Sequence, residues 1–248
     1  MKIFYVLCIA FSLVCRGQSE IKPSYIISDK NIKLQKLEKT DDILLFYLSP
    51  VQYLGKAQSL IELNYTDYYR YNPIIKNNYE RPTDIMNTRY KDDCENVRIF
   101  VDINQTTPLS HTLTDFTKIT EEEFEAELDR MNLGKKPTRE IPKITTYYDG
   151  FPVTLYNQEN KDVIIGFGNH IPLELEALDK DNNWIKIYDY RRYTCGVGIQ
   201  YIMLKSQQIA TVFQPRLSGS FKTKLRYRLK NNVSNEFEGN INENYFRN

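Results

Sequence analysis

Histidine is almost missing: the 248 residues include two, His111 and His170, beside a single tryptophan and four cysteines. Proton transfer near neutral pH usually runs on imidazole, and these two histidines suggest no dyad. Each is expected in a loop, His111 in a Thr- and Ser-rich stretch and His170 after Gly168 and Asn169. The chain also lacks a His-Glu-x-x-His pair, a Gly-x-Ser-x-Gly elbow, a glycine-rich cradle ahead of a lysine and closely spaced cysteines. The common zinc, hydrolase, nucleotide and thiol signatures are therefore missing. No catalytic residue, no metal ligand and no cofactor is assigned. Charge of one sign is lacking as well, with 33 Lys and Arg against 32 Asp and Glu. Such a balance gives no global field toward nucleic acid or an anionic bilayer, and no nucleic acid is expected as a partner.

Long apolar runs are scarce. One opens the chain, from Ile3 to Val14, behind Lys2 and ahead of Cys15, Arg16 and Gly17. It is too short to cross a bilayer core of about 30 Å as a helix, which takes about 20 residues, so residues 1–17 read as a signal peptide. No later segment is long and apolar enough to span a membrane, and a secreted or periplasmic protein is expected. A lipid anchor at Cys15 is the alternative, against which Val14 stands where a small residue is usual. Removing Lys2 and Arg16 takes the formal charge from +1 to −1. Cys8 and Cys15 leave with the signal, so Cys94 and Cys195 remain in an oxidising compartment as a possible disulfide. Closing a loop of about 100 residues would restrict the unfolded chain by roughly 4.7 kcal/mol in the entropic picture.

What remains reads as mainly β. Short apolar or alternating runs at 43–48, 60–65 and 97–103, broken by Pro, Asn, Asp and Gly, predict strands in a β-rich region over 18–134. One helix interrupts it near 120–133. Thr120 and Glu123 have capping-box spacing, three acids sit in the first turn, and Gly134 supplies the stop. Phe124, Leu128 and Met131 recur at i, i+4 and i+7, a narrow stripe expected to cover a sheet. Residues 135–144, with Lys135, Lys136, Pro137, Arg139 and Pro142, lose all periodicity and read as a linker. Over 145–248 about eight further runs follow at the spacing of an antiparallel β-sandwich.

Phe221, Thr223, Leu225, Tyr227 and Leu229 alternate with Lys222, Lys224, Arg226 and Arg228, so one strand carries a core face and a face of four cations. Glu174 and Glu176 could oppose those cations across the sheet, giving a solvated and partly paired face. A docking stripe for phosphate or anionic glycan is the alternative. The run from Asp179 to Asn183 resembles the opening of a calcium loop, but Trp184 and Tyr190 occupy the positions that need Gly and Glu, and a hairpin turn is expected. Paired carboxylates for glycoside hydrolysis could be drawn from any chain with this many acids. Nineteen tyrosines are the most suggestive feature for binding, because tyrosine offers a flat apolar ring with a polar tip. Tyr68, Tyr69, Arg70 and Tyr71, with Tyr65 beside them, form one candidate contact surface, and Arg191, Arg192 and Tyr193 form another.

Four segments carry a family resemblance: Asn182-Asn183-Trp184-Ile185-Lys186-Ile187, Cys195-Gly196, Gly219-Ser220-Phe221-Lys222-Thr223-Lys224-Leu225-Arg226 and Ser234-Asn235-Glu236-Phe237-Glu238-Gly239. With them, about 147–248 resembles uncharacterised exported bacterial proteins with an immunoglobulin-like β-sandwich. The last segment is also similar to the final strand of small β-sandwich proteinase inhibitors. The resemblance implies a fold and an exported location. In a bacterial host the sequons at Asn64, Asn104 and Asn232 are expected to stay unoccupied, whereas a eukaryotic secretory route could fill them. The expectation is an exported non-catalytic binding or accessory protein with an unknown protein or glycan partner. An inhibitor or immunity-type protein is the alternative, and a carboxylate-dependent hydrolase is the third reading.

Overall fold

The computed structural model describes residues 22–28, 32–37, 50–65, 79–80, 94–168, 171–188 and 201–247. The protein is mainly β, with several sheets and, among the described residues, one α-helix. Its organising element is a long strand, β8 (Lys143–Asn157). Along one edge of β8 run β6 (Val97–Val101) and then β7 (Thr107–Thr114), both antiparallel to it. Val101 pairs with Val153 and Thr107 with Gly150, so six steps on one side match three on the other and residues 102–106 bulge out. The other edge pairs with β13 (Gln208–Pro215), which pairs in turn with β3 (Val51–Lys56). The short β2 (Leu34–Gln35) joins β8 in parallel at Tyr147 and Tyr148.

At its centre this sheet is apolar on both faces, which is why the second half of β8 and most of β13 read as nearly continuous buried runs rather than alternations. Ala210 and Val212 of β13, with Val153 and Leu155 of β8, face a first core. Across that core lies an antiparallel sheet of β10 (Glu174–Leu178), β11 (Trp184–Tyr188), β14 (Phe221–Leu229), β15 (Asn232–Val233) and β16 (Phe237–Ile241). A smaller sheet of β9 (Val163–Phe167), β12 (Tyr201–Leu204) and β5 (Tyr79–Glu80) adds Val163, Ile165, Ile202 and Leu204 to the same core. Ile209 and Phe213, on the opposite face of β13, enter a second core with Leu109, Tyr148 and the parallel pair β1 (Ser24–Ile27) and β4 (Leu60–Leu63). The two polar residues of these runs that face this second layer, Thr154 and Thr211, meet the Tyr25 hydroxyl at 2.9 and 2.5 Å. Burial there pushes the Tyr25 phenol up to about 12.

β3, β6 and β7 thus lie in one sheet with β8 and β13, so the stretches on either side of 135–144 are interleaved. The stretch holding His111 is a strand, not a loop: its threonines are β-branched, and His111 sits opposite Thr146 in the ladder. The β14 face is a paired one, as the alternation suggested. Glu174 lies opposite Arg228 and Glu176 opposite Arg226, while Lys222 and Lys224 reach Glu238 and Glu236 at 2.7 and 2.9 Å. The residues after Asp179 form the expected hairpin turn, with the Asp179 carboxylate accepting from the amides of Asp181 and Asn183.

Candidate interaction surface

β7 and the start of β8 run on past the second core as a two-stranded ribbon. Leu109 and Tyr148 face each other inside the core, and four residue pairs further, past His111 and Thr146, Leu113 and Ile144 face each other with 57% and 51% of their surface in solvent. The same apolar ribbon face therefore leaves the protein interior and continues uncovered.

At the ribbon's end the chain turns on Asp115, which is buried. Its amide donates to the Pro142 carbonyl (2.8 Å), and its carboxylate accepts from the Thr117 hydroxyl (2.5 Å) and the Lys118 ammonium (3.0 Å). Those donors, the Thr117 hydroxyl foremost, hold the Asp115 carboxyl below the usual range. Helix α1 (Glu121–Asn132) follows, and its sequence signals are realised in full. The Thr120 hydroxyl accepts from the Glu123 amide while the Glu123 carboxylate accepts from the Thr120 amide. At the other end Gly134 has φ +71°, and the amides of Gly134 and Lys135 donate to the carbonyls of Met131 and Arg130.

The helix does not cover a sheet. Polar contacts tie it to its own returning loop: Arg139 donates to both carboxylate oxygens of Glu123 at 3.2 and 3.1 Å. The buried Glu127 carboxylate accepts from the amide (2.8 Å) and the hydroxyl of Thr138. The Thr138 hydroxyl and amide hold Glu127 below its ordinary range, and the Thr120 amide, with Arg139, does so for Glu123. Because the loop holds only that flank, the apolar stripe stays open. Phe124 meets Phe116 edge-on at 5.4 Å, but Leu128 and Met131 are exposed, as are Phe116 (55%) and Leu133 (71%). Ten large hydrophobic side chains are exposed among the described residues, and six of them, Leu113, Phe116, Leu128, Met131, Leu133 and Ile144, fall within this arm. Exposed apolar surface concentrated in one place marks an interaction site.

Charge frames the stripe. At 3.6 residues per turn, Glu121, Glu125 and Asp129 line the flank away from Glu123 and Glu127, with Glu122 behind them. All four are exposed, and no ion pair engages them among the described residues. Beyond the helix Lys135 and Lys136 are likewise exposed and unengaged.

Two other places were weighed for binding. A cleft of about 180 Å³ opens between the layers, with walls that include Phe151, Leu175, Leu225, Tyr227 and Phe237. The Arg216 side chain at this cleft is fully committed. It bonds Asp149 at 3.1 Å and the carbonyls of Ile103 and Gln105 at 2.6 and 3.0 Å, which pins the 102–106 bulge. On the β14 face the Arg226 guanidinium lies over the Trp184 ring at 4.0 Å, and Arg226 and Arg228 both bond Glu176. All four β14 cations are thus paired with acids of the same sheet, the solvated and paired face rather than a row of unengaged cations. Among the described residues no cluster of acids, histidines or cysteines could hold a metal ion, and no helix is long and apolar enough to cross a membrane.

Of the residues singled out in the sequence, Tyr68, Tyr69, Arg70, Tyr71, Arg191, Arg192, Tyr193 and Cys195 lie outside the described residues, as do 1–17 and His170. Tyr65 is a core residue and not a contact surface, with its ring stacked on Phe213 and its hydroxyl bonded to Ser110. Cys94 is buried beside Asn232, whose amide nitrogen reaches the Cys94 carbonyl at 2.7 Å. Asn232 is buried and bonded at both ends of its amide, which no glycan would permit, whereas Asn64 and Asn104 are exposed. Sequence reasoning missed the arm because it assigned the stripe of α1 to a core. The available signal was the scatter of large apolar residues, Leu113, Phe116, Leu133 and Ile144, through an otherwise polar stretch. In comparisons with known proteins, the chain matches no family model, no curated protein and no solved structure.

Proposed function

We propose that the protein is an exported, non-catalytic binding or accessory module that engages another protein surface through the arm of residues 113–144. The observation that carries this reading is the concentration of exposed large apolar side chains on that arm. An apolar surface of this kind suits a protein better than a glycan, since sugars need hydrogen-bonding groups beside the apolar platform. Export rests on the N-terminal leader read from the sequence. The facing antiparallel layers that close over the first core support the immunoglobulin-like resemblance at the level of architecture. An inhibitor or immunity-type protein would use the same arm.

The test is capture from the native compartment by the wild-type chain and by Leu128→Asp/Met131→Asp, with circular dichroism to confirm that the variant is folded. Loss of the captured protein from the folded variant is the expected result. Undiminished capture by the variant, or an enzymatic activity abolished by a single Asp or Glu change, would sink the reading.

A further inference from the structure

We propose that the occupant of the arm is a second copy of this chain, with the two α1 helices packed antiparallel about Leu128. The inference rests on reading the arm as a docking face, and it names the partner.

A two-fold contact uses one patch twice, so the patch must carry both halves of every complementary pair. This arm does. Its rim acid Glu121, with Glu122 behind it, stands at the start of α1, and Lys135 and Lys136, unengaged among the described residues, stand just past the end. Leu128 lies seven residues from Glu121 and seven from Lys135 in the sequence. Two such helices crossing antiparallel at Leu128 therefore set each acidic end beside the other copy's lysines. The same crossing places Leu128 against Leu128, with Phe124 and Met131 of each copy flanking the contact. Parallel packing would instead bring acid to acid and lysine to lysine, which repel.

The polar ties of the helix leave this arrangement room. Glu123 bonds Arg139, Glu127 bonds Thr138, and Arg130 stands 4.0 Å from the Glu127 carboxylate, all on the flank held by the returning loop. The stripe and its acidic rim lie on the side that no part of the arm covers. An apolar centre with charged ends also explains why the acids of α1 are so unevenly used, two bonded and four idle.

Sedimentation of the full chain tests the proposal up to about 100 µM, a range suited to a small interface. The wild type is expected to show a dimer mass that rises with concentration. Glu121→Lys/Glu122→Lys alone and Lys135→Glu/Lys136→Glu alone are each expected to sediment as monomers. An equimolar mixture of the two is expected to regain the dimer, because each variant then meets its complement. Circular dichroism confirms that each variant is folded, so that loss of the dimer is not loss of structure. A monomeric wild type overturns the inference, as does a dimer indifferent to both charge reversals or one that the mixture fails to restore. If the wild type is monomeric while Leu128→Asp/Met131→Asp still loses a captured protein, the second copy is refuted and the docking face stands. If neither effect is seen, both fail.

Discussion

Glu176 shows how single residues make the outer face of the β10 sheet inert. Its carboxylate receives Arg226 and Arg228, each at 2.6 Å, and the side chain is mostly withdrawn from water. Burial alone would raise the carboxyl, but the Arg228 and Arg226 guanidiniums outweigh it and hold the group below its ordinary range. Glu176→Gln would leave two guanidiniums facing each other over a neutral amide. We expect a loss of about 2–3 kcal/mol in urea unfolding, somewhat under the roughly 3–5 kcal/mol for breaking a fully buried pair, because both arginines keep partial access to water. Asn232 and Asn235 act differently, as substitutes for a strand. Asn232 accepts from the Val97 amide, and Asn235 both accepts from and donates to Val101, so side chains satisfy the outer edge of β6 on either side of the backbone bridge from Ile99 to Ser234. The pairing of Glu174 and Glu176 with the β14 cations was legible because alternation alone puts them on the solvent face. The strand-mimicking role of the asparagines was not, since it depends on β6, more than 130 residues away.

Among the elements, α1 and its flanking turns form the part held most by polar contacts. Asp115, Glu123 and Glu127 all have depressed carboxyls, so the stability they confer is present above the unfolded range near pH 4 and is lost as pH falls through their lowered values. The protection factors of the amides over 121–132, taken against the slower intrinsic exchange in acid, should therefore fall below about pH 4 while those of the central sheet hold. Uniform protection of α1 and β13 down to pH 2.5, about 1.5 units under the ordinary carboxyl range, would contradict this. The helix was legible to within a residue or two because its box, acids and glycine are local signals. The first half of β8 and all of β7 were not, because their threonines and tyrosines gain a strand's advantage only once paired with each other. β13 lies between these cases: Ile209 to Phe213 marks a buried strand, but only the sheet shows that alternate residues enter two different cores.

For the whole molecule the decisive feature is that the central sheet draws strands from both ends of the chain. β8 and β13 keep their places only between β6 and β7 on one side and β3 on the other. A fragment of residues 145–248 would expose the edges and one face of that sheet. We expect the fragment to lack dispersed amide proton resonances and to aggregate, whereas the full chain gives one cooperative transition; a well-folded, soluble fragment would show that the C-terminal half is autonomous. By itself the sequence determined the β class, the capped helix, the hairpin after Asp179 and the two faces of β14, because each depends on residues a few positions apart. The tertiary structure alone decided that the two halves interleave, that the second half of β8 and most of β13 are buried on both sides and that the stripe of α1 remains open. Those outcomes depend on partners that lie tens to hundreds of residues apart, and no local pattern records which surface finds one.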